Sequence, residues 1–355
     1  ITQPAATLWY HSHVHGQTGS QVYRGLAGLL IVDDPDAPDG LPNGYGVDDV
    51  PVVVQDRSFD RRGGFSYDVG GMTSMQGFRG REILVNGAIN PVADVPRGLV
   101  RLRLLNGSNA RIYHFSFSDG RRFFEVASDG GLLSKPVLRT GVTLAPAERI
   151  EIVVDLSDDT QPIRLVSGDD TNAPMGGMMG GMSGGGQFDV LTLQPRADLA
   201  PSISQMPLTL PAAPMTNDAP VRTRNFNLNM QMGGMVGSMF RGLLGNSTMS
   251  INSQGFNMET INEEVRLGDT ELWRISANMM AHPFHVHGTS FQVVSRNGRS
   301  VDPAAQGWKD VVLVEGSAEI LVRFDKPADA AAPFMYHCHI LEHEDAGMMG
   351  QFTVS

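Results

Sequence analysis

A single cysteine, Cys338, lies near the C-terminus of the 355-residue chain, and a histidine stands directly on each side of it. The preceding residues, 332–336, have the pattern of a strand that leads into it. Because neighbouring side chains of a strand point to opposite faces, we expect Cys338 to face one way and His337 and His339 the other. One short segment would then supply a thiolate to one metal and two imidazoles to another metal site behind it.

Further residues complete a ligand set for the thiolate. A cysteine with two histidines and a weak axial methionine is the ligand set of a blue-copper electron-transfer centre. His343 and Met348 follow the predicted strand and are expected to fold back over the sulfur. His282 precedes a proline in the second histidine-rich stretch, and we assign it to the same copper. His285 and His287 share a strand face, and we assign them to the site behind.

The alternative interpretation is that these histidines are structural or bind zinc. Zinc prefers closed sites with four ligands. The number of imidazoles in i, i+2 pairs around one cysteine exceeds what such a site uses. The pattern therefore favours copper over zinc.

These motifs resemble those of the multicopper oxidases. The stretches HPFHVHG (282–288) and HCHILEHEDAGMM (337–349) are similar to the third and fourth copper-binding motifs of that family, and WYHSHVHG (9–16) resembles the second. Two runs in the middle of the chain, RLRLLNGSNAR (101–111) and ASDGGLL (127–133), resemble bacterial copper-efflux oxidases and bacterial laccases. The resemblance implies consecutive cupredoxin-like Greek-key β-sandwich domains, and a periplasmic or secreted protein.

Composition favours an all-β fold. The chain has 41 glycines and 21 prolines, and its short β-branched runs are separated by turn residues, which is typical of strands. The methionine- and glycine-rich stretch 175–186 is expected to be a flexible loop. We predict the C-terminal remnant of a first cupredoxin domain over 1–35, a linker over 36–49, a cupredoxin-like domain over 50–195, a linker over 196–220, and a third cupredoxin domain with the type 1 copper site over 221–355.

Charge and hydropathy exclude some classes of partner. The net charge of −11 disfavours nucleic acid and anionic membranes as partners. No apolar run is long enough to span a bilayer. One cysteine excludes an intrachain disulfide, and cysteine usage therefore does not set the compartment. No signal peptide is visible at Ile1, where the chain opens inside a strand pattern, so we expect further residues upstream.

The resemblance implies an oxygen-reducing cluster of three coppers held by eight histidines in four His-x-His pairs. Three of these pairs occur in the sequence: His11/His13, His285/His287 and His337/His339. We expect the fourth pair in a missing N-terminal part of domain 1, which is needed to complete the cluster. The same resemblance makes His285 a ligand of the type 2 copper and the other five histidines ligands of the type 3 pair.

The resemblance also implies a reaction. Electrons enter at the type 1 copper, pass through Cys338 and its flanking histidines, and reduce dioxygen to water after four one-electron oxidations. Cys338 and Glu344 are the predicted catalytic residues, because Glu344 matches the acidic residue of the family that delivers protons to reduced oxygen. A solvated surface glutamate is the alternative interpretation of Glu344.

The sequence leaves the reducing substrate open between cuprous ion and a small phenol. Thioethers select Cu(I), and the chain has 19 methionines. The resembling copper-efflux oxidases hold a substrate copper on methionine and aspartate side chains. At the matching places this chain has Met230, Met235 and Met280, which we predict to bind it. Met235 and Asn278 stand where those oxidases have acids. Methionines that fill gaps in a core are the alternative.

Three functions thus follow from the sequence. The first is a multicopper oxidase that couples oxidation of cuprous ion or phenols to reduction of dioxygen, with a role in copper detoxification. The second is a copper-binding or electron-transfer module without oxygen chemistry, which the absent histidine pair permits. The third is a structural relative that has lost its metal, and the retained ligands of the cysteine argue against it.

Overall fold

The computed structural model describes residues 3–34, 40–170, 187–230 and 249–355. Strands make up most of its regular structure, so the all-β prediction is confirmed. The predicted loop 175–186 and Met235 lie outside the described residues. None of the helices in the described part of the chain is long and apolar enough to cross a membrane.

The first segment is a two-stranded antiparallel sheet. Strand β1 (Ala6–His11) pairs with β2 (Ala27–Val32), and helix α1 (Thr18–Tyr23) lies between them in sequence. The register runs from Ala6 opposite Val32 to His11 opposite Ala27. The strand therefore ends at the first histidine of the pair His11/His13, whose second member lies on the loop before α1.

Residues 49–196 form a sandwich of two sheets. Its strands follow the orders β10-β9-β12-β7-β3-β4-β5 and β11-β8-β13-β14-β6. A short helix, α2 (Met72–Gln76), lies between β3 and β4. The strands are β3 (Asp49–Arg57), β4 (Glu82–Val85), β5 (Ala88–Ile89), β6 (Val92–Pro96), β7 (Leu99–Asn106), β8 (Tyr113–Phe117), β9 (Phe123–Ser128), β10 (Gly131–Arg139), β11 (Val142–Leu144), β12 (Arg149–Asp155), β13 (Ile163–Gly168) and β14 (Phe188–Arg196).

Strand β7 explains how the middle sandwich holds the first segment. Its apolar residues, such as Leu102 and Leu104, alternate with arginines, so the apolar side chains enter the core and the arginines face the other way. Arg103 is buried and donates to Asp49 at 2.7 Å and to Thr7 of β1 at 3.0 Å. The strand thus places β1 against the charged face of the sheet.

Residues 222–354 form a second sandwich. Its strands follow the orders β16-β15-β18-β23-β20-β21 and β17-β25-β24-β19-β22. A single 3-10 turn (Pro303–Ala305) precedes β22, and helix α3 (Leu341–Asp345) follows β24. The strands are β15 (Arg222–Met230), β16 (Met249–Ile251), β17 (Glu263–Val265), β18 (Thr270–Ala277), β19 (His282–Val286), β20 (Phe291–Arg296), β21 (Arg299–Ser300), β22 (Val311–Val314), β23 (Ser317–Arg323), β24 (Phe334–Cys338) and β25 (Met349–Val354).

The core of this sandwich contains the cysteine. Phe226, Trp273 and Phe284 pack in one buried cluster that also contains Cys338 and Met348. Strand β24 lies between β19 and β25, and its register sets Cys338 opposite Phe284. The two histidine-rich stretches are therefore neighbouring strands of one sheet.

Helix α3 lies where all three parts of the chain meet. The carboxylate of Asp345 accepts hydrogen bonds from the backbone N–H groups of Thr18 and Gly19, both at 2.9 Å. The N–H of Leu341 donates to the carbonyl of Asn109 in the middle sandwich at 3.1 Å. These bonds fix the helix that carries His343.

Candidate metal centre

The first cluster of ligands, which we call the cysteine site, consists of His282, Cys338 and His343. The Nδ1 atom of His282 lies 3.3 Å from Cys338 Sγ, and Nδ1 of His343 lies 3.6 Å from the same sulfur. The two nitrogens are 3.3 Å apart. All three side chains are fully buried. Two imidazole nitrogens and one sulfur therefore converge on a single point, which is the trigonal arrangement of a blue-copper centre.

Contacts around the cysteine site hold its imidazoles and its sulfur in place. The Nε2 atom of His343 lies 2.9 Å from the backbone carbonyl of Met75 in α2, so Nε2–H donates and Nδ1 is left for the metal. The N–H of Ile340 donates to Cys338 Sγ at 3.4 Å. Burial lowers the pKa of His343 to about 4. The ring is thus neutral at physiological pH, as a metal ligand must be.

Met348 lies beside the cysteine site. It is fully buried in the same apolar cluster as Cys338, and its backbone carbonyl accepts the N–H of Cys338 at 3.0 Å. The turn after α3 brings it there, because the Met348 N–H donates back to the carbonyl of His343 at 2.9 Å. The predicted fourth ligand therefore lies on a segment that folds back toward the sulfur.

The second cluster, which we call the histidine cluster, contains the six remaining histidines of the predicted pairs. Nε2 of His337 lies 3.0 Å from Nε2 of His287 and 3.4 Å from Nε2 of His13. The other three rings adjoin these, with ring centroids 5.2 Å apart for His11 and His339 and 5.3 Å apart for His285 and His337. The structure thus brings together imidazoles from β1, β19 and β24 or from the residues just after these strands.

Hydrogen-bond acceptors on the outside of the cluster orient its rings. Nδ1 of His285 lies 2.8 Å from the carbonyl of Asp310, and Nδ1 of His11 lies 2.9 Å from that of Ser12. Burial lowers the pKa of His285, His287 and His339 well below the usual histidine value. These rings are therefore neutral and able to bind a metal through the other nitrogen.

Glu344 lies between two of these rings. Its carboxylate is 3.2 Å from Nδ1 of His337 and 3.5 Å from Nδ1 of His13. Burial alone would raise the pKa of Glu344, but the attraction of His337 and His13 outweighs burial and lowers the pKa to about 2. Glu344 is thus a buried, ionised acceptor rather than a solvated surface residue. Its predicted role in proton delivery stays a prediction.

This geometry leads to a prediction for Glu344→Gln. The variant keeps the shape of the side chain and removes its charge, so we expect metal affinity at the histidine cluster to fall about 10- to 100-fold, as is typical when an acceptor behind a ligand is lost. Competition with a chelator measures that affinity. Asp345→Asn is the matched control, because Asp345 binds backbone amides of α1 and no histidine. An equal loss in both variants would show that only the position of α3 matters.

The two clusters are joined through consecutive residues. Cys338 lies at the cysteine site, while its neighbours His337 and His339 both lie in the histidine cluster. The sulfur and the two flanking imidazoles thus lie on opposite sides of one extended segment. The path between the clusters is a single stretch of covalent backbone.

The sequence also singled out residues that lie outside the two clusters. Met230 and Met280 are both buried in the core of the C-terminal sandwich, and the N–H of Met230 donates to Asn278 Oδ1 at 3.3 Å. His15 lies outside the histidine cluster and contacts the ring of Phe256. His114 lies on β8 and lines a surface cavity with Met280.

Some residues of the site were missed by the sequence analysis. The guanidinium of Arg149 holds the Asp310 carboxylate through two bonds of 2.7 Å, and the carbonyl of Asp310 in turn holds His285. Met75 acts through its backbone carbonyl, for which side-chain identity gives no signal. The sequence signal that could have identified Asp310 is a pair of charged residues between apolar strands, in the run Trp308–Lys309–Asp310.

Buried ligand atoms that lack hydrogen-bond partners indicate whether a metal suits the two clusters. Both ring nitrogens of His339 are buried and have no hydrogen-bond partner among the described residues, which is costly for an imidazole unless a metal binds one of them. Burial raises the pKa of the Cys338 thiol, so the thiol does not ionise readily by itself. A metal that replaces the proton would stabilise the buried thiolate. The donor set fits copper.

The sequence is similar to those of known proteins. Residues 223–355 and 1–37 match sequence models described as multicopper oxidase. The FtsP cell division protein of Xenorhabdus nematophila is 37% identical across the whole chain, which covers 71% of that protein. The FtsP cell division protein of Escherichia coli is 36% identical, again across the whole chain and 72% of its own length.

Solved structures give a similar picture of the fold. A laccase-like multicopper oxidase, CueO, from an Ochrobactrum bacterium superposes with a TM-score of 0.86 at 38% identity, over all of this chain and 78% of that one. McoA, a multicopper oxidase from Aquifex aeolicus, superposes with a TM-score of 0.84 at 32% identity, over all of this chain and 77% of that one. The predicted cupredoxin-like sandwiches are thereby confirmed.

The comparisons correct the functional prediction. We expected an oxidase that couples oxidation of cuprous ion or phenols to reduction of dioxygen. That expectation is wrong, because curated relatives at 36–37% identity across the whole chain are called cell division proteins.

Proposed function

The chain belongs to the multicopper oxidase family, and we propose that it is a copper-binding, electron-transfer protein that does not itself reduce dioxygen. One observation carries this proposal, namely the convergence of His282, Cys338 and His343 in a fully buried triangle with sides of 3.3 to 3.6 Å. Copper, when bound there, supplies a one-electron redox couple. A buried donor set of this kind suits outer-sphere transfer rather than direct binding of a substrate.

The residues of the chain have distinct roles in this proposal. His282, Cys338 and His343 would hold the type 1 copper, with Met348 as its fourth ligand. The carbonyl of Met75 holds His343 in one tautomer, and the sheet around Cys338 keeps water away from the sulfur. Such fixed surroundings reduce the rearrangement that accompanies the gain or loss of one electron.

The histidine cluster is a second copper site in this proposal. His285 would hold the type 2 copper, and the type 3 pair would be held by His11, His13, His287, His337 and His339. These rings are neutral except for His337, whose pKa Glu344 raises. The sequence of Cys338 and its two neighbours gives the shortest covalent route between the sites. Electrons received at the cysteine site would thus be stored at a second centre.

A biological setting is suggested by the relatives. Two curated proteins that match the whole chain at 36–37% identity are named as cell division proteins, and we extend that role to this chain. A periplasmic or secreted location is the compartment we propose for it, on the resemblance of its copper motifs to bacterial copper-efflux oxidases. Copper binding would then serve a protein of the division machinery.

The test is a copper titration of the metal-free protein. We expect an intense blue absorption at saturation, and a gain in the free energy of unfolding of about 2.7 kcal/mol when free copper is 100 times the dissociation constant. A chelator should reverse both effects. A colourless complex, or a melting temperature that copper does not change, would refute the proposal.

An oxygen electrode tests the proposal that the protein does not itself reduce dioxygen. Copper-loaded protein with a phenol or Cu(I) as electron donor should consume no more dioxygen than the same copper and donor without protein. Uptake that follows the protein concentration would restore the oxidase interpretation.

A further inference from the structure

Residues 58–81, which connect β3 to β4 and include α2, contact the cysteine site from the side of the middle sandwich. The carbonyl of Met75 accepts the Nε2–H of His343 at 2.9 Å, and the side chain of Met75 packs against the buried cluster that contains Cys338. Met75 is itself only half-buried. It therefore contacts both solvent and a ligand of the cysteine site.

This connection is basic, whereas the protein as a whole is acidic. It contains four arginines, two aspartates and no lysine or glutamate, so its net charge is +2, whereas that of the chain is −11. Arg79 pairs with Asp170 at 2.6 Å. Arg61, Arg62 and Arg81 are exposed, and they form no ion pair within the part of the chain that the structure describes. Three positive charges are thus available to a partner.

The tip of the connection is a loop over residues 59–65, which we call the arginine loop. An antiparallel bridge joins Phe59 to Phe65. The carboxylate of Asp60 accepts the N–H of Arg62 at 2.7 Å and that of Gly64 at 2.9 Å. Because these backbone bonds occupy the carboxylate, the side chains of the two adjacent arginines extend from a loop that is closed by its own hydrogen bonds.

Aromatic contacts fix the arginine loop relative to the cysteine site. The ring centroid of Phe65 lies 5.8 Å from that of Tyr23, and the ring of Tyr23 stacks on that of Tyr67 at 4.7 Å. The hydroxyl of Tyr67 donates to the carboxylate of Glu342 at 2.6 Å, and Glu342 directly precedes His343. A continuous row of contacts therefore joins the loop to the helix that carries a copper ligand.

These features suit a surface that receives a protein electron donor. The ligands of the cysteine site are fully buried, so a large donor stays outside and its electron passes through the contact between Met75 and His343. Complexes of electron-transfer proteins are small and weak, and complementary charge speeds their formation. Phe59 and Phe65, which are 38% and 48% exposed, add the aromatic contact that is enriched at protein interfaces.

We propose that the arginine loop and α2 form the docking surface for an acidic electron-transfer protein, which reduces the copper of the cysteine site through Met75 and His343. The inference rests on the proposed function, because it requires a copper that accepts electrons. One electron leaves the metal centre of the donor protein, which is oxidised, and copper(II) is reduced to copper(I). No proton is transferred, and no covalent bond forms or breaks.

Binding to the metal-free protein is the first test. The probe is an oxidised plant-type [2Fe–2S] ferredoxin, which is an acidic one-electron carrier. We expect it to bind at low ionic strength and to dissociate as salt is added, because salt screens exposed charges. Arg61→Gln combined with Arg62→Gln should weaken binding at least about tenfold at low salt. Fluorescence anisotropy of labelled ferredoxin measures the affinity.

The matched control removes two other positive charges, in Arg97→Gln combined with Arg122→Gln. Both arginines are exposed and lie at the end of the middle sandwich opposite Asn109, which contacts α3. This control should bind ferredoxin like the unmodified protein. An equal loss of affinity in the two double variants would show that only net charge matters and would overturn the docking surface.

Reduction of the copper-loaded protein is the second test. Reduced ferredoxin is mixed with it under nitrogen, and the loss of blue absorption gives the rate. The substitution of Arg61 and Arg62 should slow this reaction about tenfold. Asp68→Asn should speed it, because it removes a negative charge from the same connection and keeps the oxygen that accepts the N–H of Gly70. Hydroquinone, a small neutral donor, should reduce every variant equally; unequal rates with it would indicate damage to the cysteine site and refute the docking role.

Two further outcomes separate this inference from its alternatives. Vesicles of phosphatidylserine should not bind the protein. If they bound it through Arg61 and Arg62, and ferredoxin binding did not depend on these residues, the arginine loop would be a membrane contact and the proposal would be wrong. A protein that binds ferredoxin through the two arginines but never turns blue with copper would refute the proposed function and still confirm the docking surface.

Discussion

Cys338→Ser is expected to abolish the blue absorption of the copper-loaded protein completely and to stop its reduction by one-electron donors. The absorption of such a centre arises from transfer of charge from thiolate sulfur to copper(II), and a serine hydroxyl supplies no thiolate. His282 and His343 would remain, so copper would still bind more weakly through two imidazoles. Absorption spectra during copper titration, with metal content measured in parallel, give the result directly.

Folding of this variant needs its own measurement. Cys338 is fully buried in an apolar cluster, so a serine hydroxyl without a partner there should cost about 1–3 kcal/mol of unfolding free energy. Glu344→Gln provides the spectral control, since it alters the histidine cluster and leaves the sulfur in place. If Cys338→Ser remained blue, the colour would come from elsewhere and the cysteine site would not be the copper centre.

Much of the site could be predicted because its geometry is local. The alternation of Cys338 with His337 and His339 follows from the two-residue period of a strand, whatever the rest of the chain does. The same holds for His285 and His287 on the neighbouring segment. A short strand with metal-binding side chains on both faces places its two metal sites on opposite sides of the strand.

Other parts of the site depend on tertiary contacts that residue identity does not encode. The carbonyl that orients His343 belongs to Met75, which is 268 residues away in sequence, and any residue there would offer the same atom. Arg149, which holds Asp310 behind His285, is likewise 161 residues away from Asp310 in sequence. Such contacts appear only once the sandwiches are packed together.

Function was less predictable than fold for a related reason. Copper ligands determine which metal is held and how many electrons it exchanges, and these follow from residue type. What the copper serves depends on surfaces and partners beyond the ligands. The sequence therefore identified the family correctly, and the oxidase reaction implied by the resemblance was wrong.

Arg149→Met, at the junction between the two sandwiches, is expected to destabilise the protein strongly. Arg149 is 2% exposed at its side chain and binds the carboxylate of Asp310 through two bonds of 2.7 Å. It also donates to the carbonyls of Asp129 at 2.9 Å and of Thr7 in β1 at 3.2 Å. Methionine keeps the apolar stem but leaves Asp310 without its partner. We expect the free energy of unfolding to fall by about 3–5 kcal/mol, as when one member of a buried ion pair is removed.

Urea titrations followed by circular dichroism measure the change, and Arg164→Met is the matched control. Arg164 pairs with Asp189 on the surface, where both side chains are about half exposed, so its loss should cost no more than about 1 kcal/mol. Arg149→Met should also weaken copper binding at the histidine cluster, because Asp310 orients His285, while the blue absorption of the cysteine site persists. Equal destabilisation by the two substitutions would mean that the buried pair contributes no more than a surface pair, and that β1 is held to the sandwiches by other contacts.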